Sequence, residues 1–378
     1  MRQLPFSASR SSPGHSSLPA PVTSMRILSL FFAHAGRGAR YILLILSLVL
    51  LAGCARRSSQ VELKGETMGT SYTVKIVLRA GEILDPAGTQ SGIDLVLKKI
   101  NAQMSVYDPG SEISRFNRQA STEPIEISPE FLHVVDRSLQ WSEKTSGAFD
   151  VTVLPVLGLW GFGPGHPFPP RIDSIPSQES IEKALSDVGY RKLRVTGGAL
   201  AKSRPGVKID LGAIAKGYGV DVVCEYLAGK GLHDFMVEIG GEVRARGNNR
   251  SGSPWRLGIA KPLLGTPPSP ATQWVITLEN QAVATSGDYQ DYFEIDGQVY
   301  SHEMDPRTGR PARNGIASTT VTAPLCMDAD ALATALMVLE PNKGLALVES
   351  LPDTEALLIV RSGEGRFQIH RTSGFVLK

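Results

Sequence analysis

Residues 208–219 read KIDLGAIAKGYG: a short apolar run ending in a carboxylate, a turn of Gly and Ala, then a helix carrying Lys216 in its first turn. Such a segment builds a strand that feeds directly into a helix, so the fold has to accommodate both in adjoining layers. The small residues let a ligand approach the backbone. The helix start offers unpaired amide groups and the positive end of the dipole, which suit a phosphate. Lys216 stands where a cation works against that dipole unless an anion lies between them, and Asp210 sits at the strand end. The same strand, turn and helix also describe ordinary α/β packing, so the stretch alone leaves scaffold and anion site both open.

The rest of the chain supplies the frame. Its 378 residues carry a formal charge of +2, with 42% hydrophobic and 20% charged residues, a balance that argues against disorder and against nucleic-acid binding. Tyr72, Val74, Ile76 and Leu78 alternate as in a strand with one buried face, directly after TMGT at 67–70. Ile93, Leu97, Ile100 and Met104 recur at helical spacing, followed by a loop over 104–117 that turns at Asp108-Pro109-Gly110. Ser128 and Pro129 start a second helix that ends near Gly147. Residues 147–163 are apolar and read as buried; a Pro/Gly-rich loop over 163–176 and a short helix ending about Gly189 follow.

Short strands are predicted over 191–210, then the helix with Ile214, Tyr218, Val222 and Tyr226 on its buried face and Val223 and Leu227 beside them. Residues 235–301 are strand-rich, with an Asp296-Gly297 hairpin turn and with Gly240-Gly241 read as a bulge or a close backbone approach. A polar loop over 302–312, a strand over 316–323, an amphipathic helix from Met327, a second helix and two short strands complete the order. The fold class is α+β, with mixed or antiparallel sheets and packed helices, in one catalytic unit over 61–378 of one or two lobes.

One apolar run, YILLILSLVLLA at 41–52, follows Arg37 and Arg40 and is too short to span a bilayer, so it reads as the core of a signal peptide. Leu51-Ala52-Gly53-Cys54 resembles the lipobox of bacterial lipoproteins. That resemblance implies a leader over 1–53 that is removed, with Met25 as an alternative start, and a diacylated Cys54 joined through a linker over 54–60. Two acyl chains give stable membrane anchoring. Cys224 and Cys326 lie among apolar residues and read as small buried hydrophobes; export permits a disulfide, but no spacing pattern calls for one.

Asp330 and Thr334 stand four residues apart on a helix, so their oxygens share a face. A carboxylate and a hydroxyl are hard ligands suited to Mg²⁺; a helix cap and a filler are the alternative, although Asp328 is the better capping candidate. His302 shares its loop with Asp305, Arg307 and Arg310 and is catalytic, structural or simply exposed, with no second His nearby for zinc. Ser286 lacks a nucleophile elbow, and neither a dinucleotide-binding nor a P-loop glycine pattern occurs.

Eight motifs in this order carry a family resemblance: TMGT, the 104–117 loop, GAFDVTVLPVL at 147–157, KIDLGAIAKGYGVD, EIGGEVRARG at 238–247, ATSGDY at 284–289, SHEMDPRTGRP at 301–311 and MDADALATAL at 327–336. Over residues 66–339 the chain resembles the ApbE family, the periplasmic FAD:protein FMN transferases. The resemblance implies an ApbE-like, T-fold-like fold and an enzyme that uses Mg²⁺ and FAD. It would transfer FMN to a Thr or Ser hydroxyl of an acceptor protein and release AMP.

Carried over by motif, the flavin contacts are Met68, Tyr107, Ala148, Phe149, Asp150, Asp210, Lys216 and Met304, and the metal ligands are the Ala213 carbonyl, Asp330 and Thr334. Met304 replaces a commonly aliphatic residue and Ala213 a hydroxyl residue. His302 is the candidate base, oriented by Asp305. The implied acceptors are flavoprotein subunits of membrane redox complexes, met by a lipid-anchored enzyme facing the periplasm of the bacterial envelope. An FAD pyrophosphatase yielding FMN and AMP, and a flavin-binding lipoprotein without turnover, are the rival readings.

Overall fold

Along Thr70–Leu78 (β2) every second side chain turns inward, and Tyr72, Val74 and Ile76 are fully buried. The strand preceding it, Ser59–Thr67 (β1), pairs with it in full antiparallel register through a two-residue turn at Met68 and Gly69, with φ of 50° and 72°. Two positive φ values are what the twist of a tight hairpin requires, so TMGT is a hairpin tip with Met68 held in the left-handed region. The sequence reading placed residues 54–60 in a linker. Here the strand already begins at Ser59. The computed structural model describes residues 59–167, 172–263, 272–289, 291–363 and 365–377; the leader over 1–53 and Cys54 lie outside the described residues.

Six further strands complete the main sheet: Asp234–Ile239 (β3), Glu242–Arg246 (β4), Ala282–Gly287 (β5), Ile316–Ala323 (β6), Glu355–Arg361 (β7) and Phe367–Arg371 (β8). They lie side by side in chain order, and each neighbouring pair is antiparallel. Helices enter as insertions between neighbouring strands. Between β2 and β3 come Pro86–Met104 (α1), Glu112–Arg118 (α2), Pro129–Lys144 (α3), Leu154–Leu159 (α4), Gln178–Leu185 (α5) and Ala215–Gly229 (α6); between β6 and β7 come Cys326–Val338 (α7) and Pro341–Glu349 (α8).

Both faces of the sheet are covered. On β3, Phe235, Val237 and Ile239 join the cluster that holds Val220, Val223 and Leu227 of α6, while Met236 turns to the cluster that holds Trp255 and Ile276. The latter belong to the hairpin of Trp255–Ala260 and Thr272–Leu278. Strand β7 shows the same division, with Ala356 and Leu358 on one side and Leu357 and Ile359 on the other, which explains its unbroken apolar run. A satellite core of Val156, Trp160, Phe162, Ile181, Phe293, Tyr300 and Met304 forms beside the main one. The α+β class and antiparallel sheet match the sequence reading.

Several local expectations change. The 104–117 loop contains α2, whose start is capped by Ser111 accepting the Ser114 amide at 3.1 Å. Gly240 and Gly241 form the turn between β3 and β4, with φ of 61° and 107°, rather than a bulge; the alternative of a close approach holds, since the Gly240 amide donates to the Ser71 carbonyl at 3.1 Å and a Cβ there would lie 2.8 Å from Thr70 Cγ2. On α6 the outer members of the expected face, Val222 and Tyr226, are only half-buried, whereas Val223, Cys224 and Leu227 are buried. Helix α7 is not amphipathic. It is enclosed by β5, β6 and α6, and Thr334 alone among its residues is not buried. Asp328 does not cap it: the cap position is Leu325, and the Asp328 carboxylate takes both Nε and Nη2 of Arg137 at 2.6 Å. Asp221 of α6 does the capping from outside, accepting the Cys326 and Met327 amides at 3.0 and 2.9 Å. Cys224 and Cys326 are free thiols, both buried, as small hydrophobes would be.

Candidate active site

The first turns of α6 and α7 cross at Gly217. A Cβ there would lie 2.4 Å from the Cys326 carbonyl oxygen and 2.7 Å from Met327 Cα, so only glycine permits the approach. Its amide, in the first turn of α6 where amides have no intrahelical acceptor, donates to Asp330 Oδ2 at 3.0 Å. Among the described residues no donor reaches the Ala213 carbonyl oxygen. Lys216 Nζ binds Glu242 Oε1 at 2.7 Å and lies 3.9 Å from Asp330 Oδ1. Thr334 Oγ1 is 3.3 Å from Ser286 Oγ at the end of β5. Residues from four separate motifs thus meet at one helix start.

The electrostatics of this cluster are those of buried charges under-supplied with partners. Burial alone would lower the Lys216 ammonium, but the Asp330 and Glu242 carboxylates outweigh that and hold it above its ordinary value. Burial pushes Asp330 and Glu242 up against the pull of Lys216, and for Asp330 also against the Gly217 amide. Glu242 Oε2 is buried without any hydrogen-bond partner. The cluster therefore carries oxygen donors with unused capacity: the Asp330 carboxylate, the Thr334 hydroxyl, the Ala213 carbonyl and Glu242 Oε2. Among the described residues no group of three His, Cys, Asp or Glu side chains could hold a metal by itself. A mixed set of hard oxygens fits Mg²⁺, which binds through one or two carboxylates and completes its shell from substrate and water.

The polar loop contributes the second half. The carbonyl of Asp291 accepts from the His302 backbone amide at 3.0 Å and lies 3.1 Å from Nδ1. Because a carbonyl can only accept, Nδ1 carries a proton, and in the neutral ring the lone pair is then at Nε2. Asp305 does not orient this ring: its two oxygens bind Arg307 at 2.8 and 2.9 Å, and Oδ1 also accepts the Arg307 amide. The neighbour of Nε2 is Glu303 instead, at 3.7 Å. Asp288, in ATSGDY, pairs with Arg361 of β7.

Of the remaining expected flavin contacts, Tyr107 is 71% exposed, and its phenol is pushed up by desolvation and by the charges of Asp210 and Asp291. Asp210 accepts the Gly212 amide at 2.7 Å through Oδ1, and burial raises its carboxyl. Met68 reaches α6, its Cε 3.0 Å from where a Gly219 Cβ would stand. Ala148, Phe149 and Asp150 are buried. The Asp150 carboxylate is already occupied, by Thr152 N at 2.8 Å, Thr152 Oγ1 at 2.6 Å and the Tyr190 amide at 2.6 Å, so its side chain braces a turn. Met304 is buried in the satellite core. Sequence reasoning passed over Glu242, Gly217 and Glu303, and weighed Ser286 only as a nucleophile. All four lie inside recognised motifs, and Glu303 adjoins His302.

The ApbE family model matches residues 68–358. The chain belongs to the ApbE family. It is 43% identical over 335 residues to the FAD:protein FMN transferase of Vibrio cholerae, covering 89% of this chain and 97% of that one. The Haemophilus influenzae protein of the same name is 41% identical over 320 residues, covering 83% and 90%. Among solved structures, the flavin transferase ApbE from Vibrio cholerae superposes with a TM-score of 0.75 at 42% identity, covering 84% of this chain and 98% of the other. The apo flavinyl transferase ApbE of Pseudomonas stutzeri gives 0.75 at 36% identity, covering 84% and 96%. The ApbE fold therefore spans nearly all of the described chain.

Proposed function

We propose that this protein is an FAD:protein FMN transferase, which moves FMN from FAD to a Thr or Ser hydroxyl of an acceptor flavoprotein and releases AMP. The observation that carries the reading is the Gly217–Asp330 contact, which gathers Lys216, the Ala213 carbonyl, Asp330 and Thr334 around one helix N-terminus. Phosphoryl transfer is catalysed mainly by positioning and by neutralising charge on the phosphate oxygens, and these groups are suited to both. Asp330, Thr334 and the Ala213 carbonyl would hold Mg²⁺. When bound, the ion supplies positive charge to the pyrophosphate oxygens.

Lys216 balances charge on the pyrophosphate, and the free oxygen of Asp210 and the exposed Tyr107 ring engage the flavin half of FAD. His302 Nε2 accepts the proton of the acceptor hydroxyl. The hydroxyl oxygen bonds to the FMN phosphorus, the bridging P–O bond breaks, and its electron pair leaves with AMP.

The test mixes the detergent-solubilised protein with FAD, Mg²⁺ and an acceptor domain bearing a candidate Thr. Covalent flavin fluorescence on the acceptor with one AMP per flavin is expected. Release of free FMN and AMP with an unlabelled acceptor would overturn transfer in favour of pyrophosphatase activity. We infer further that Cys54 carries the lipid anchor and that the enzyme faces the periplasm, where acceptor subunits of membrane redox complexes expose their hydroxyls. The lipobox at 51–54 supports this. Palmitate labelling that persists in Cys54→Ala would refute the anchor.

A further inference from the structure

Glu303 is 4% exposed, and the cation-forming group beside its carboxylate is His302 Nε2 at 3.7 Å. Burial disfavours the charged form of a carboxyl and pushes Glu303 up, and a positive charge beside it offsets that cost. Its surroundings define that charge. Asp288 and Asp291 face it with the same sign, Asp288 being paired with Arg361, while His302 and the more distant Lys216 oppose it. Lys216 is already engaged by Glu242, which leaves the imidazole as the group able to balance Glu303.

The ring is held from the other side. With Nδ1–H on the Asp291 carbonyl and the Phe162 ring 6.3 Å away, His302 can gain a proton only at Nε2, the nitrogen that faces Glu303.

We propose that Glu303 is the positioning residue for His302, its carboxylate stabilising the imidazolium formed when the ring takes the proton of the acceptor hydroxyl. This deepens the transferase reading and rests on it. The proton moves from the hydroxyl to Nε2, giving an imidazolium–carboxylate pair, and no further reactant is needed. The role expected of Asp305 thus passes to the residue directly beside the histidine.

Two measurements test the assignment in the full-length protein. Histidine-labelled NMR, with the His302 signal assigned by its loss in His302→Asn, reads the ring directly and does not depend on transfer. Glu303→Gln removes the carboxylate 3.7 Å from Nε2 and should move the His302 titration to lower pH. Glu303→Asp, which keeps the charge, should reverse part of that shift. In the transfer assay, Glu303→Gln should cut kcat about tenfold, less than the roughly 10²–10⁴-fold contribution of a general base because Glu303 acts through the ring, leave KM for FAD unchanged and move the acid limb of the pH profile downward. An unmoved His302 midpoint in a folded Glu303→Gln protein overturns the proposal. So does an equal loss in Glu303→Gln and Glu303→Asp with no shift of the pH profile. A shifted midpoint in a protein that transfers no flavin upholds the pairing and sinks the transferase reading instead.

Discussion

The amide of Gly217 donates to Asp330 Oδ2 at 3.0 Å across 113 residues of chain, at the point where α6 and α7 touch. One bond thereby does two things. It satisfies a first-turn amide that has no acceptor within its own helix, and it aims a buried carboxylate at the start of the helix that carries Lys216. Helix packing and site geometry are the same contact here, so substitutions at the crossing should affect both.

Gly217→Ala should therefore be severe. Its Cβ would meet backbone atoms of Cys326 and Met327 at 2.4 and 2.7 Å, which no rotamer change relieves. Overpacking of this kind costs about 1–3 kcal/mol or more, and thermal denaturation should register a lower midpoint together with lost flavin transfer. A wild-type melting temperature would mean that the helices do not approach this closely.

Asp330→Asn keeps an acceptor for the Gly217 amide while removing the charge. Transfer should fall by about 10²–10³-fold with little change in stability, since one well-placed electrostatic contact is worth that much in a transition state. Thr334→Val should lose about tenfold, as a neutral ligand contributes less than a charged one. Chelation should abolish transfer by the wild type and added Mg²⁺ restore it; activity that survives exhaustive chelation would remove the metal from the scheme.

Tyr107 offers a contrast. With its ring 71% exposed, it contributes little to folding, and Tyr107→Ala should leave the melting temperature unchanged while raising KM for FAD. If the two moved together, the ring would be a packing element.

Acid stability should depend on Asp234. Arg79 holds its carboxyl below the ordinary range, aided by the Asn248 amide at 2.7 Å and opposed by burial. A depressed folded-state value means that stability is fully present above the unfolded value of about 3.9 and is lost as pH falls through the folded one. Urea midpoints measured from pH 6 down to pH 2 should drop less steeply for Asp234→Asn than for the wild type below about pH 4. Parallel slopes would mean that the Arg79 pair contributes no pH dependence.

Element types were legible wherever a period dominated. The alternation at Tyr72, Val74 and Ile76, the Ser128–Pro129 start of α3 and the Asp296-Gly297 turn between Tyr292–Ile295 and Gln298–Ser301 all stand as read. The amphipathic reading of α7 failed because a helix enclosed on every side leaves no polar face to show a period. Asp328 looked like a cap because caps are local. Its partner, Arg137, is 191 residues away. Asp305 looked like an orienter for the same reason, and Arg307, two residues on, takes its carboxylate.

By itself the sequence determined the α+β class, the strand–turn–helix at 208–219, the pairing of Asp330 with Thr334 on one helical face, and the family. The first three follow from periodicity and short-range spacing, which the backbone imposes wherever it folds, and the family from the resemblance of eight motifs in order. Only the tertiary structure decided that the Gly217 amide meets Asp330, that Glu242 Oε2 stays without a partner, and that Glu303 rather than Asp305 faces His302 Nε2. Those outcomes depend on which buried charges are brought within reach of one another by the crossing of α6 and α7 and by the loop over 302–312. Coulomb energy and desolvation depend on distance in space, and spacing along the chain does not encode it.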